Sequence, residues 1–441
     1  MKYRFFSFAL LVMTVIMGYS QAPSFKQMIK RLNANSLPLV NLTVNTSRLS
    51  STGFVNGEIE IADYKKRTEP SSQNVKYLCK IRYRGASALK YDKKSFAVKL
   101  LDKSGCDLDA NIFGIRNEND WILDAMAIDR IRMRNRVCFD LWNQMSRTPY
   151  DTKYGNRNGT KGEFVEVFIN DSYQGLYCMT DKVDRTLLGL KKAKTGNDGR
   201  VAIRGLLYKG ISWGSASDLL SYENAAISKL IWNAWELKYP DDYPSSSWQP
   251  LKDLIRFCSV KTDNHTYEKE WEVHFYKDNL VDFMTFAMAI SLRDNGYKNM
   301  YLSCRNIEEG QQFLITPWDM DASLGGNWNG ERAEGTSHLN RFHGIGPYNK
   351  LYKENIDDFV GSLRETWRKY SNSVFSQSNV ERLLDCYADQ FIKSGAWKRE
   401  YEKWNGNPVP LGASPETELA YVKEWYKKNY VHLSKSLGVS K

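Results

Sequence analysis

The chain has 441 residues, of which 42% are hydrophobic and 26% are charged, and its formal net charge at pH 7 is +11. This composition excludes a disordered or fibrous protein, and it suffices for one large core or for two lobes of ordinary domain size. The basic excess favours anionic partners such as phosphates, nucleic acid or acidic glycans, and a solvated basic surface is the alternative.

Residues 1–20 have the pattern of a secretory signal peptide. Lys2 and Arg4 form a basic start, an apolar run covers 5–17, and small residues precede a cleavage point after Ser20. We therefore expect export to the periplasm, the cell surface or the medium, with an uncleaved N-terminal anchor as the alternative. No later stretch predicts a membrane span. The seven cysteines lack zinc-ligand spacing, and their pairing in an exported chain stays open.

The first part of the chain after the signal peptide is predicted to be rich in strands. Apolar and polar residues alternate at period two, which indicates half-buried strands. A hairpin is predicted to turn at Asn170-Asp171-Ser172. Apolar residues at helical spacing predict one long helix over 125–146. The predicted strand segments are 36–44, 53–64, 75–85 and 95–102, with the hairpin over 162–184.

From about residue 190 the pattern becomes mostly helical. The segment 278–294 is apolar nearly all round, which predicts a buried helix. Two short strands follow it, over 299–304 and 311–319. The other predicted helices cover 225–237 and 248–258, and a last one begins at Ser414. We expect four regions: the signal peptide (1–20), a strand-rich segment (21–75), a strand-rich lobe (76–184) and a helical lobe (185–441).

Three polar residues follow the buried helix at a spacing that suggests phosphotransfer chemistry. Asp294 stands at the end of the helix, Asn299 comes five residues later, and Asp319 ends the second strand. In protein kinases, an Asp that accepts the hydroxyl proton and an Asn five positions on precede a strand-end Asp that holds magnesium. The structural alternative is that Asp294 caps the helix end and Asp319 pairs with a buried Arg.

A site of this kind also needs a cation for the phosphates. Ala97-Val98-Lys99 resembles the Ala-x-Lys of the third kinase strand, with Lys94 as a competitor for the same role. No GxGxxG loop is present, and the turn at Arg84-Gly85 is the candidate substitute, because it offers an Arg and backbone N–H groups. The alternative for Lys99 is a surface lysine on a half-exposed strand.

Five ordered motifs resemble the CotH kinase family, the spore-coat-protein-H-like atypical kinases. They are "RYRGASALKYDKKSFAVKL", "WILDAMAIDRIRMRN", "EVFINDSYQGLYCMTDKVD", "RDNGYKNMYL" and "TPWDMDASLGG", within roughly residues 75–330. The resemblance implies a divergent protein-kinase-like fold and magnesium-dependent transfer of the ATP γ-phosphate to protein Ser or Thr. Asp321 matches the second acid of the family's Trp-Asp-x-Asp pattern. Asp181 stands where the family usually has Glu, which leaves the hinge contacts to the nucleotide in doubt.

The sequence therefore predicts an α+β, two-lobed, kinase-like protein that binds ATP and Mg²⁺ between its lobes. Asp294 is the predicted catalytic residue. The predicted nucleotide contacts are Lys99, Arg84, Gly85 and Asp181, and the predicted metal ligands are Asp319, Asn299 and Asp321. Three rival functions remain: a catalytically silent surface adhesin, a kinase for a sugar or small-molecule hydroxyl, and a nucleic-acid binder. No aromatic-basic motif supports the last, so we expect no nucleic-acid partner.

Overall fold

The computed structural model describes residues 22–64, 74–199, 201–241, 245–333, 335 and 344–439. The predicted signal peptide lies outside these residues. The fold is mixed α+β, with a strand-rich N-terminal region and a mostly helical C-terminal region. None of the described helices is long and apolar enough to cross a membrane. All seven cysteines are free thiols, five of them buried, so no disulfide joins them.

Among the residues that the structure describes, the N-terminal region contains two helices and eleven strands. The helices are α1 (Phe25–Arg31) and α2 (Arg134–Met145). The strands are β1 (Leu39–Val44), β2 (Val55–Ala62), β3 (Val75–Arg84), β4 (Ser95–Leu101), β5 (Ala110–Asn111), β6 (Asn117–Glu118), β7 (Asp120–Asp124), β8 (Arg147–Thr152), β9 (Gly155–Arg157), β10 (Gly162–Ile169) and β11 (Ser172–Thr180).

Seven of these strands close into a barrel in the order β1-β10-β11-β7-β4-β3-β2. The pair β1–β10 is parallel and the other pairs are antiparallel. Phe96, Val98 and Leu100 of β4 point into the barrel core, as their alternation predicted. The hairpin β10–β11 turns at Asn170 and Asp171, which both have positive φ, as two-residue hairpin turns require.

The described part of the C-terminal region adds seven strands and eight helices. The strands are β12 (Lys194–Thr195), β13 (Val201–Ala202), β14 (Leu206–Gly210), β15 (Ile231–Trp232), β16 (Trp235–Tyr239), β17 (Met300–Cys304) and β18 (Phe313–Pro317). The helices are α3 (Gln249–Cys258), α4 (Asn264–His274), α5 (Lys277–Ile290), α6 (Gly346–Lys353), α7 (Phe359–Ser371), α8 (Gln377–Lys393), α9 (Ala396–Trp404) and α10 (Glu416–Ser436). Five strands form one sheet in the order β15-β16-β14-β17-β18.

The predicted helix over 225–237 is wrong. The segment forms the hairpin β15–β16, in which Trp232 pairs with Trp235 and Asn233 adopts a positive φ in the turn. β16 also pairs with β14, so sheet pairing overrides the helical spacing of the apolar residues. The region after residue 190 therefore contains more strand than the sequence pattern indicated.

The predicted helix over 125–146 is shorter than expected and begins at Arg134. The carboxylate of Asp129 accepts hydrogen bonds from the backbone N–H groups of Ile131, Met133 and Arg134, at 3.1, 2.7 and 2.7 Å. These bonds fold 129–134 into a turn and satisfy N–H groups at the start of the helix.

A buried ion-pair cluster joins α9 to the barrel. Lys93 Nζ and Arg132 Nε both contact Glu400 Oε1, at 2.6 and 2.7 Å. The backbone N–H of Leu176 in β11 donates to Glu400 Oε2 at 2.8 Å. All three charged side chains are completely buried. The C-terminal helices are thereby fixed against the strands that bring the candidate site together.

Candidate functional site

The candidate site begins at the loop between α5 and β17. The helix ends at Ile290, and Ser291 caps it in a left-handed conformation with φ of 50°. The backbone N–H of Arg293 donates to the carbonyl of Ala322 at 3.0 Å, so this loop lies against the segment after β18. The helix predicted over 278–294 therefore ends four residues earlier than expected.

Asp294 and Asn299 contact each other within this loop. Asn299 Nδ2 donates to Asp294 Oδ2 at 3.0 Å, and Lys298 Nζ pairs with the same oxygen at 2.8 Å. Asn299 has a φ of 55°, a left-handed conformation that Asn tolerates better than most residues. One oxygen of Asp294 is thus held, and its side chain is 18% exposed.

Asp319 lies beside this loop because the two segments share hydrogen bonds. The backbone N–H of Trp318 donates to the carbonyl of Asn299 at 3.0 Å. Asn295 Nδ2 donates to the carbonyls of Asn299 and Trp318, at 2.7 and 2.6 Å. Asp319 itself has a φ of 55° and lies two residues after Pro317, where the buried strand β18 ends. The structure therefore brings Asp294, Asn299 and Asp319 together, as their spacing predicted.

The pKa of Asp319 is shifted by its surroundings and by four charged neighbours. Burial raises its pKa, and the carboxylates of Asp124 and Asp294 raise it further, whereas Lys209 and Arg84 lower it. The side chain is nevertheless exposed to solvent. The carboxylate of Asp319 is thus close to several charged side chains and still accessible to a ligand from solvent.

Asp321 follows Asp319 by two residues, and its side chain is less exposed to solvent. Its pKa is raised well above the ordinary range by burial first and then by Asp319 and Asp124. Among the described residues, neither Asp319 nor Asp321 accepts a hydrogen bond at its carboxylate or forms an ion pair. The alternative that Asp319 pairs with a buried Arg is therefore wrong for the described residues. Two neighbouring carboxylates without hydrogen-bond donors favour a cation between them.

Asp124 is a member of the site that sequence reasoning missed. It ends β7, accepts a hydrogen bond from Asn135 Nδ2 at 3.1 Å, and raises the pKa of both Asp319 and Asp321. Asn135 Oδ1 in turn accepts from the backbone N–H of Met320 at 3.1 Å. The available signal was the apolar strand "WILD", which ends in an acid just as "TPWD" does.

The donor set fits a magnesium ion that keeps phosphate and water ligands. No group of three or more His, Cys, Asp or Glu residues in the described parts of the chain is placed to hold a metal by itself. Magnesium needs no such cage, because one or two carboxylates plus substrate phosphates suffice. Asp319, with Asn299 Oδ1 and Asp321, would be the ligands.

Two cationic side chains lie over the ring of Trp318, the residue before Asp319. Arg84 Cζ is 5.6 Å from the centroid of the Trp318 ring, and Lys209 Nζ is 5.7 Å from it. Arg84 was predicted, whereas Lys209 was missed because only the pairing of β14 with β17 brings it opposite Tyr301. Gly85 follows with a φ of 115°, where a side chain would be strained and would lie 3.0 Å from Ala88 Cβ.

Lys99 contacts a different carboxylate from those of the candidate site. It shares the outer face of β4 with Ala97, as predicted, but its Nζ pairs with Asp107 at 3.6 Å. Its competitor Lys94 donates to the carbonyls of Leu89 and Tyr91 and so closes the turn after Gly85. Neither lysine contacts Asp294 or Asp319 in the part of the chain that the structure describes.

Asp181 is completely buried and fully engaged. It accepts a hydrogen bond from the backbone N–H of Lys161 at 2.8 Å and pairs with Arg157 and Arg116, at 2.7 and 3.0 Å. This carboxylate holds the end of β11 in place. Its backbone N–H donates to the carbonyl of Lys161 at 3.2 Å, and its carbonyl accepts from the hydroxyl of Thr180 at 3.0 Å. Its predicted contact with a nucleotide stays a prediction.

Comparison with known proteins supplies the family. The family model described as CotH kinase protein matches residues 81–433, which is most of the chain. The chain is also 22% identical over 350 residues to the inner spore coat protein H of Bacillus subtilis (strain 168), a match that covers 78% of this chain and 86% of that protein. The family model covers the barrel strands from within β3 onward and the loops that carry Asp294 and Asp319. The chain belongs to the CotH kinase protein family.

Proposed function

We propose that this chain is an exported, magnesium-dependent phosphotransferase with a protein-kinase-like fold, and that it transfers the γ-phosphate of ATP to Ser or Thr hydroxyls of a protein. The observation that carries the proposal is the contact of Asp294 with Asn299 beside the accessible carboxylate of Asp319. Family membership and the kinase-like order of these residues support it.

Asp294 is suited to the acceptor hydroxyl. Its Oδ2 is occupied by Asn299 and Lys298, which leaves Oδ1 to accept the hydroxyl proton. The acceptor oxygen then bonds to the γ-phosphorus while the bond from that phosphorus to the bridging oxygen breaks, and ADP leaves. Because Asn299 donates through Nδ2, its Oδ1 remains for the metal. Bound magnesium would neutralise the charge on the phosphates.

The nucleotide is proposed to lie against the outer face of the barrel. Arg84 extends from β3 over Trp318 and would contact the phosphates. Ala97 is a small residue on the outer face of β4 that leaves room for the base. Arg84 and Asp319 would thus face opposite sides of the phosphate chain.

A second candidate, a catalytically silent surface protein, has one specific observation in its favour. The relative in Bacillus subtilis is named as an inner spore coat protein. A coat or surface component need not bind a nucleotide. The predicted export is common to both candidates, and a surface or spore-associated location suits both.

Thermal unfolding with nucleotide separates the two candidates. We expect ATP with magnesium to raise the melting temperature of the wild type, by the equivalent of about 2.7 kcal/mol at a hundredfold excess over Kd. Asp319→Ala should lose the magnesium-dependent part of this rise, because the metal ligand is gone. The matched control is Asp389→Ala, since Asp389 is 61% exposed and pairs only with Lys393. A wild type whose melting temperature ignores ATP and magnesium would contradict the kinase proposal.

A further inference from the structure

We propose that Lys209 and Arg84 form a phosphate clamp, meaning these two side chains above Trp318, which binds the terminal phosphate oxygens of the nucleotide beside Asp319. The inference deepens the proposed function and rests on it for the identity of the ligand. It assigns the phosphate-binding lysine to β14, in the C-terminal region, instead of to Lys99 in the barrel.

The clamp is built from two distant parts of the chain. Arg84 is the last residue of β3, and Lys209 lies in the central strand of the five-stranded sheet. Both cations lie over the ring of Trp318, at 5.6 and 5.7 Å from its centroid, and Lys209 Nζ is 6.0 Å from the ring centroid of Tyr301. The aromatic rings therefore fix where the two positive charges stand, one residue before Asp319.

Neither cation is neutralised by a protein partner at short range. Within the residues that the structure describes, Lys209 and Arg84 form no ion pair and donate no side-chain hydrogen bond. The side chain of Lys209 is half-buried, and the loss of surrounding water, followed by the charge of Arg84, lowers its pKa to about 8. A half-buried cation beside a second cation is unfavourable unless an anion binds both.

The remaining charged neighbours of Lys209 do not supply that anion. They are Asp319, Glu236 and Lys238. Glu236 is paired with Lys238 at 3.0 Å, and Asp319 is assigned to the metal. By contrast, the buried Lys93 is matched by Glu400 at 2.6 Å. Lys209 thus differs from an ordinary buried lysine in lacking a partner carboxylate at bonding distance.

A terminal phosphate fits this arrangement. Its oxygens accept paired hydrogen bonds from a planar guanidinium and a point contact from an ammonium group, which are the roles of Arg and Lys in phosphate recognition. Lys99 cannot replace Lys209 there while it pairs with Asp107. Both donors would keep contact with the phosphoryl group as its charge shifts during transfer.

The clamp is tested by binding of inorganic tripolyphosphate in the presence of EDTA, measured by calorimetry, with AMP as the ligand that lacks terminal phosphates. We expect Lys209→Met and Arg84→Met each to weaken tripolyphosphate binding by about tenfold to a hundredfold. Lys209→Arg should bind tripolyphosphate more tightly than Lys209→Met but less tightly than the wild type, because the charge is kept while the shape of the cation changes. AMP affinity should be unchanged in all variants.

The matched control is Lys252→Met, since Lys252 Nζ also lies over a Trp ring, 5.1 Å from the centroid of Trp232, but belongs to helix α3 and contacts β15, the edge strand of the sheet. It should bind tripolyphosphate like the wild type. A folded Lys209→Met that binds tripolyphosphate as tightly as the wild type overturns the clamp, as does a wild type that does not bind it. Arg84→Met provides the same test if Lys209→Met does not fold.

The failures of the two proposals are distinguishable. If tripolyphosphate binds through Lys209 and Arg84 but no phosphate is transferred from ATP, the clamp stands and the phosphotransferase proposal fails. If the wild type transfers phosphate and Lys209→Met transfers it at the same rate, the clamp alone fails.

Discussion

Asp319 and Asn299 both adopt left-handed backbone conformations, with φ of 55°, at the ends of adjoining segments. Non-glycine residues rarely adopt this conformation, and Asp and Asn are the ones that tolerate it. Each residue follows or precedes a fully buried strand, and the hydrogen bond from Trp318 to Asn299 holds the two together. The backbone thus places both side chains at one point before any ligand arrives.

The contacts among these residues could be predicted only in part. The order and spacing of Asp294, Asn299 and Asp319 suggested one shared site, whereas the hydrogen bond between Asp294 and Asn299 is seen only in the structure. Lys209 and Asp124 carry no local signal of that kind. They join the site through strand pairing over long sequence separations, and the register of β14 against β17 decides which residue of β14 faces Trp318.

Asp282 in α5 allows a prediction about pH. Burial raises its pKa to about 7, the neighbouring Asp278 adds to this, and Lys369 opposes it. An unfolded Asp titrates near about 3.9. Since the folded state binds this proton more tightly, the free energy of unfolding should fall as pH rises from about 4 to about 7.

Asp282→Asn should remove this loss. We expect the variant to exceed the wild type in unfolding free energy by about 1–2 kcal/mol at pH 8 and to match it near pH 4, after allowance for partial solvent screening of the group. Urea denaturation at the two pH values measures the difference. An equal effect of the substitution at both pH values would rule out titration of Asp282 as its cause.

At the scale of elements, the hairpin β10–β11 and the segment 225–237 show where sequence patterns succeed and fail. Residues 162–184 form two strand-like apolar runs on either side of Asn-Asp-Ser at the turn, so the hairpin was predicted and is confirmed. In 225–237 the apolar residues recur at helical spacing. However, β16 pairs along both of its edges, with β14 on one side and β15 on the other. The Asn233 turn was the only local sign of a hairpin.

Helix α9 gives a prediction about the ion-pair cluster. Glu400→Gln should lower the free energy of unfolding by about 3–5 kcal/mol, because Lys93 and Arg132 would be left as uncompensated buried charges. The control on the same helix is Glu402→Gln. Glu402 is 50% exposed and pairs with the 80% exposed Lys398, so its loss should cost less than about 0.5 kcal/mol.

Chemical denaturation of the two variants side by side measures this difference. Similar small losses for Glu400→Gln and Glu402→Gln would mean that the buried cluster does not fix α9 to the barrel. In that case the ion pair of Arg399 with Glu166 of β10 and the packing of Trp404 around Gly175 would hold the helix against the barrel.

On the scale of the whole molecule, the candidate site is assembled from two regions. The barrel supplies Arg84 and Asp124, and the C-terminal region supplies Asp294, Asp319 and Lys209. The strand-rich and helix-rich halves were predictable from composition along the chain. The closure of the barrel by the parallel pair β1–β10 was not, because it joins strands more than a hundred residues apart and depends on three-dimensional packing.

Incubation with labelled ATP tests whether the barrel and the C-terminal region together transfer a phosphate. The protein is incubated with a Ser/Thr peptide library, magnesium and ATP labelled at either the γ- or the α-phosphate. We predict that only the γ-label reaches the peptides and that EDTA prevents this. Asp294→Asn and Asp319→Ala should lower incorporation by about a hundredfold or more, and Asp389→Ala should not. Equal incorporation by the wild type and Asp319→Ala, or transfer of the α-label, would contradict the account.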